Sequence, residues 1–301
     1  MIIMKATREY HFKEVKSNDP YILDYLYDEE LEIEIPSLTK KNSLFLEAVV
    51  RLDSNYGNDA QPNSCGKNFL NVLEDNTNFS QRPGNDNYVG STRFWFESMQ
   101  GNSDSCSNKV DFGTCLKGAL HNINLTNSTR SSKESINSVA DKLYDNCRSV
   151  DELIALLRET FSKDNLQHIM SILTKPTEEG GKNKLSLASK FCAYATEYLF
   201  DNLDSKPLYP KYDGVVSSNL HYYFYHYAGD CLKDIPDDYR KILDRNFKVN
   251  QNLKNDDRFN DYMSIYEAYS WCIARILEQL DKNHVSLKAS ELDHIIWYCK
   301  K

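Results

Sequence analysis

The residues of this sequence best suited to chemistry fall in two short segments. The first is Gly180-Gly-Lys-Asn-Lys-Leu-Ser-Leu-Ala-Ser-Lys-Phe191 and the second is Tyr209-Pro-Lys-Tyr-Asp213. A glycine-rich turn between two helices exposes backbone N–H groups, and the start of the second helix adds its positive dipole end. That combination suits a phosphate, with Gly180, Gly181, Lys182, Asn183 and Ser186 as the candidate contacts. On the helix that follows, Leu187, Ala188, Phe191, Cys192, Ala195 and Leu199 form one apolar arc, with Ser186, Lys190 and Glu197 on its polar margin. Lys190 is therefore expected at the edge of the core. Asp213 follows a proline-containing loop and opens the next helical run, as an N-cap does. Each feature also has a plain structural reading: a snorkelling lysine, a simple cap, and an ordinary C-terminal helix turn at Gly180-Gly181.

Two aromatic blocks extend the list. His221-Tyr-Tyr-Phe-Tyr-His-Tyr227 would surround all faces of a helix. Tyr222, Tyr223, Tyr225 and His226 are candidates for stacking on an unpaired base, against the alternative of core packing. His221 and His226 are five residues apart, off the spacing that puts a metal pair on one helical face. Trp95, within Phe94-Trp95-Phe96, is either a wedge or the centre of a small satellite core. No motif calls for a cofactor or a metal.

The elements that must position these residues are helical. Residues 43–53 and 135–147 carry apolar residues at helical spacing. Ser149 with Glu152 three residues on forms a capping box that opens the next helix. Further helices are expected near 164–173, 186–200, 213–227, 236–246, 258–281 and 288–299. Leu31–Ile35 alternates apolar and acidic residues, as a short strand does. Residues 54–108 are rich in Asn, Ser, Gly and Asp, and read as an irregular polar insertion. The expected organisation is an acidic N-terminal extension (1–42), a first helix plus insertion packed on the helical body (43–134), and a helical domain (135–301). The fold class is mainly all-α.

Charge and composition narrow the setting. The chain has 301 residues and a net charge of −8, against wholesale electrostatic binding of nucleic acid. The excess is confined to residues 1–180, which hold 19 basic and 27 acidic side chains; residues 181–301 hold 17 of each. The eight cysteines are scattered without a CxxC pair, which reads as reduced thiols. The N-terminal residues lack an apolar core of signal-peptide length, and no run approaches the roughly 18 apolar residues of a membrane span. A cytoplasmic protein without membrane contact is expected.

Ser-Leu-Ala-Ser-Lys-Phe191, Tyr209-Pro-Lys-Tyr-Asp213 and Ser290-Glu-Leu-Asp-His-Ile-Ile-Trp297 resemble the helix-hairpin-helix DNA glycosylases, in particular the 8-oxoguanine glycosylase branch and its small bacterial members. The resemblance covers roughly residues 135–301. It implies a lysine at or just after the hairpin, Lys184 or Lys190, and Asp213 at the start of a following helix, 29 or 23 residues on. It further implies DNA as partner and a base-excision reaction with lyase activity: the lysine amine attacks C1′ of an extruded nucleotide while Asp213 stabilises the developing charge. The chain departs from the family's Gly-apolar-Gly hairpin, reading Glu178-Glu-Gly-Gly-Lys182, with acidic residues where DNA phosphate would approach. The alternative is a catalytically silent relative that binds nucleic acid or protein, as in bacterial defence.

Overall fold

The computed structural model describes residues 10–19, 22–46, 92–101, 110–126, 131–175, 183–200, 206–250 and 252–298. Their secondary structure is mostly helical, with one small sheet. Contacts divide the chain into two units. The first comprises Met1–Ala48, Gly214–Lys248 and Trp271–Lys301, and the second Val49–Asp213 and Val249–Ser270. This division does not follow the linear boundaries expected at 42/43 and 134/135. Hydrophobic periodicity marks single elements, whereas which elements share a core is set by packing across long sequence separations.

The second unit contains α1 (Thr92–Met99), α2 (Phe112–Thr126), α3 (Lys133–Asn146), α4 (Val150–Arg158), α5 (Ile169–Thr174) and α6 (Leu185–Leu199). Local signals account for several of these boundaries. Ser132 Oγ accepts the Ser135 N–H and starts α3. Ser149 Oγ accepts the Glu152 N–H at 3.3 Å and starts α4, and the Glu152 carboxylate returns to the Arg148 N–H at 2.6 Å. The capping box thus forms with its second bond displaced by one residue. The helix expected from residue 164 begins only at Ile169. Residues 162–168 are spent in turns, because Ser162, Asn165 and His168 side chains accept the N–H groups of Asp164, Gln167 and Met170 instead of continuing a helix. Thr92–Met99 is helical inside the insertion expected to be irregular. Its Trp95 and Phe96 are buried, and a Cβ at Gly118 would lie 2.3 Å from the Trp95 ring. Only glycine at 118 lets α2 approach α1 that closely. The remainder of 54–108, apart from Gln100 and Gly101, lies outside the described residues.

The first unit holds β1 (Lys13–Val15), β2 (Tyr25–Asp28) and β3 (Ile33–Pro36), an antiparallel sheet in the order β1-β2-β3 with Lys13 opposite Tyr27 and Tyr25 opposite Pro36. The strand expected at Leu31–Ile35 is β3, shifted by two residues at its start. The Asp28 carboxylate accepts the N–H groups of Glu30 and Leu31 and shapes the turn into it. Residues 40–46 are helical; the rest of the helix expected over 43–53 lies outside the described residues. Asn42 is buried and clamps the backbone of Asp24 and Ser37. The unit is completed by α7 (Gly214–Ala228), a 3-10 turn (Gly229–Lys233), α8 (Asp237–Asp244) and α10 (Ala289–Tyr298). The long helix α9 (Asn255–Lys282) gives its residues up to Ser270 to the second unit and those from Trp271 to the first.

No helix of the described residues is long and apolar enough to cross a membrane. Cys115, Cys147, Cys192, Cys231 and Cys272 are free thiols.

Candidate functional site

Helix α6 sets the direction of Lys190. It packs against α1, α2, α4 and α5, and most of its circumference is buried, leaving Glu197 exposed and Ser186, Ala193 and Tyr198 half-buried. Of the polar margin expected there, Ser186, Lys190 and Glu197, only Lys190 is inside the unit. Lys190 is only 6% exposed, far below the value typical of a lysine. An ammonium in such surroundings needs an acid partner, and it has one: Lys190 Nζ lies 3.5 Å from Asp213 Oδ2. The Asp213 side chain keeps 27% exposure, so the carboxylate end of the pair meets solvent.

Asp213 is delivered by a segment whose backbone is bound residue by residue. The Tyr209 hydroxyl donates to the Leu157 carbonyl at 2.9 Å. The Pro210 carbonyl accepts from the Tyr266 hydroxyl at 3.1 Å, and the Lys211 carbonyl from the Tyr269 hydroxyl at 2.9 Å. The Tyr212 N–H donates to Ser189 Oγ at 2.9 Å, one residue before Lys190 on α6. Tyr266 and Tyr269 are one turn apart on α9, so a single helical face serves two successive carbonyls. Each such bond is worth about 1 kcal/mol net, and more is lost if one buried partner is orphaned. The result is an irregular segment held as firmly as a helix, which is what a carboxylate needs if it is to be aimed.

His168 extends this support. It is buried, and its Nδ1 accepts the Met170 N–H at 3.1 Å as the N-cap of α5. Its proton therefore sits on Nε2, which faces the Glu159 carbonyl and the Tyr209 hydroxyl, each at 3.2 Å. Burial holds its pKa below the ordinary value, against the opposing pull of Glu159. Next to Tyr209 a cleft of about 500 Å³ is lined by Arg158, Phe161, Lys206 and Leu208 among others.

The two lysine candidates differ in their surroundings. Lys184 is the N-cap residue of α6, and its N–H donates to the Thr174 carbonyl across the 175–184 connection. Its charge acts on Lys142, which is pushed down to about 8 by burial first and then by Lys175 and Lys184. Lys190 is found at Asp213. Gly180, Gly181 and Lys182 lie outside the described residues. Asn183 and Ser186 are half-buried at the start of α6, where the Ser186 carbonyl accepts from Ser189 Oγ.

The stacking candidates have other surroundings. Trp95 is buried against Gly118 in the second unit. Tyr223 is fully buried in the first, its hydroxyl donating to the Pro36 carbonyl at 2.9 Å. Tyr222, Tyr225 and His226 are met by the rings of Tyr10 and Phe12 at centroid distances of 5.2 to 6.1 Å. These contacts are those of packing.

Sequence reading missed the groups that make the site rigid: Tyr266, Tyr269, Ser189 and His168. Only the i, i+3 spacing of Tyr266 and Tyr269 was visible in advance. It also passed over Lys211, which is 8% exposed with Nζ 4.0 Å from the Tyr194 ring centroid. No family model, no curated protein and no solved structure matches this chain.

Proposed function

We propose that the second unit is a nucleophilic amine site that excises a base from DNA, with Lys190 as nucleophile and Asp213 as its charged partner. The observation that carries this reading is a buried lysine 3.5 Å from a partly exposed carboxylate, both on rigidly held backbone. A buried ammonium beside a carboxylate adds little net stability, so folding alone is a poor account of the arrangement.

In this reading the Lys190 lone pair forms a bond to C1′ of an extruded nucleotide. The C1′–N bond breaks, its electron pair leaving on the base, which takes up a proton. Opening of the sugar ring then yields an iminium, with the ring oxygen protonated. Asp213 stabilises the positive charge that grows on the sugar and accepts hydrogen bonds from the amine. The cleft carries Arg158 and Lys206 beside a single acid, Glu159, a lining of net positive charge suited to a phosphate of the flanking strand.

The test is borohydride trapping on oligonucleotides carrying oxidised, alkylated or hypermodified bases or an abasic site. The expected result is a covalent adduct that Lys190→Gln abolishes and Lys184→Gln retains. Asp213→Asn should slow base release by about 100- to 10,000-fold. The absence of any adduct or base release across the panel would replace this reading with a silent module that binds nucleic acid or protein.

A further inference from the structure

The cleft beside Tyr209 combines two kinds of surface. Phe161, Pro207 and Leu208 give it an apolar wall, and Arg158 and Lys206 give it positive charge against the single acid Glu159. Leu208 keeps 42% exposure, and Phe161 and Pro207 are half-buried, so the wall meets water. The two sides of the cleft are tied together at its base. The Tyr209 hydroxyl donates to the Leu157 carbonyl at 2.9 Å and lies 3.2 Å from His168 Nε2, which in turn lies 3.2 Å from the Glu159 carbonyl. The Phe161 ring is met edge-on by His168 and Tyr266 at centroid distances of 5.1 and 5.3 Å. The Arg158 guanidinium lies over the buried Phe200 ring at 5.6 Å. A volume of about 500 Å³ falls in the range of sites that enclose a small organic group.

A phosphate alone would call for the cations and not for the apolar wall. In a duplex both faces of each base are covered by its neighbours in the stack, and the outside presents mainly phosphates. An unpaired strand offers base faces and phosphates together, the two partners that this cleft can satisfy at once. Tyr209 stands four residues before Asp213, so their backbones are at most about 14 Å apart. That span is about four nucleotides of a stacked strand. We propose that the cleft takes a nucleotide flanking the target on an unpaired strand, its base on Phe161 and Leu208 and its phosphate at Arg158, and that the substrate is single-stranded DNA. The identity of the strand as DNA rests on the excision reading; the cleft adds that the strand is unpaired. A net charge of −8 is easier to reconcile with binding in which base stacking shares the load than with contacts to phosphate alone.

Fluorescence anisotropy of the full chain with a labelled thymidine oligonucleotide, alone and annealed to its complement, provides the test. The single strand should bind about tenfold or more tighter than the duplex. Leu208→Ser and Phe161→Leu should each weaken the single-strand complex about five- to tenfold and leave its salt dependence unchanged. Arg158→Gln should weaken it and lower the slope of log affinity against log salt by about 0.7, the value of one phosphate contact. Leu166→Ser, at an exposed leucine of the same unit that does not line the cleft, should change neither. Equal or tighter binding of the duplex, an unchanged affinity in Leu208→Ser, or an unchanged slope in Arg158→Gln would overturn the proposal. If Phe161→Leu fails to fold, the variants at the exposed Leu208 and Arg158 still decide. Borohydride trapping with abasic single and double strands tests the excision reading separately. Selective, Leu208-dependent binding without any adduct keeps the cleft and removes the excision reading. An adduct formed equally on single and double strands, and by Leu208→Ser as by the wild type, does the reverse.

Discussion

Tyrosine serves two different purposes in the two units. In the second unit, Tyr209, Tyr266 and Tyr269 use their hydroxyls, each donating to a backbone carbonyl, and Tyr266 and Tyr269 fix the chain just before Asp213. In the first unit, the tyrosines of α7 mainly use their rings, with Tyr222 and Tyr225 against Tyr10. Two hydroxyls there also tie the end of β3 and the chain beyond it, at the Pro36 carbonyl and the Leu38 N–H. Ring packing is tolerant of small displacements, whereas a hydrogen bond to a buried carbonyl is directional and costly to leave unmade. A site that must hold a carboxylate within a fraction of an ångström of its place needs the second kind of contact.

The largest effect that would sharpen this contrast comes from the ion pairs. Asp213→Ala leaves a buried ammonium without its carboxylate and should cost about 3 kcal/mol in urea unfolding. In the first unit, Lys40 and Glu291 also pair, but the Lys40 side chain is largely exposed. Lys40→Ala should cost less than about 1 kcal/mol. Equal costs would show that the second unit is no more demanding of its charges than the first.

Tyr269→Phe and Tyr223→Phe are matched changes, since each orphans one buried carbonyl. Both should cost about 1–3 kcal/mol by denaturant titration. They should part in borohydride trapping, which falls in Tyr269→Phe and is unchanged in Tyr223→Phe. Loss of trapping in both would mean that the hydroxyl bonds matter only through overall stability.

His168 adds a pH dependence to the second unit. Its folded pKa lies below the unfolded value of about 6.5, so the unfolded chain binds the proton more readily. The stability it confers is complete above about pH 6.5 and declines as pH falls toward the folded value, by up to about 1.4 kcal/mol per unit. Protonation of Nδ1 removes the acceptor of the Met170 N–H, and with it the cap of α5. His168→Asn, which retains a capping oxygen, should flatten the profile between pH 6.5 and 5, followed by circular dichroism in urea.

The smallest effect is expected from ring packing in the first unit. Tyr222→Leu removes its contacts with Tyr10 and Phe12 and should cost about 0.5–1.5 kcal/mol in thermal or urea unfolding. A loss as large as that of Asp213→Ala would place the rings of α7 among the essential contacts of the molecule.

Much of this architecture was legible in residue order. Apolar spacing marked α3, α4, α6, α7 and α8, because a helix repeats every 3.6 residues whatever surrounds it. Ser149 and Glu152 marked the start of α4, since a cap needs only neighbours in sequence. The pairing of Lys190 with Asp213 was one of two arrangements the sequence left open. The helix expected from residue 164 starts only at Ile169 because Ser162, Asn165 and His168 compete for backbone N–H groups, a local preference weaker in pattern than hydrophobic period.

Tertiary structure alone decided the rest. Sequence placed Lys190 on the margin of an apolar arc, but neighbouring helices closed over Lys190 itself and turned a boundary lysine into a buried one. The strands β1 and β2, with three and four residues, carried too short a pattern to be read without their partners. The support of Tyr209–Asp213 comes from residues as distant as Tyr266 and Tyr269, more than fifty positions on. Periodicity reports which face of an element is apolar, and it is silent on which element will cover that face. The burial of Lys190, its approach to Asp213 and the aim of Asp213 all depend on that covering, so they appear only when the chain is folded.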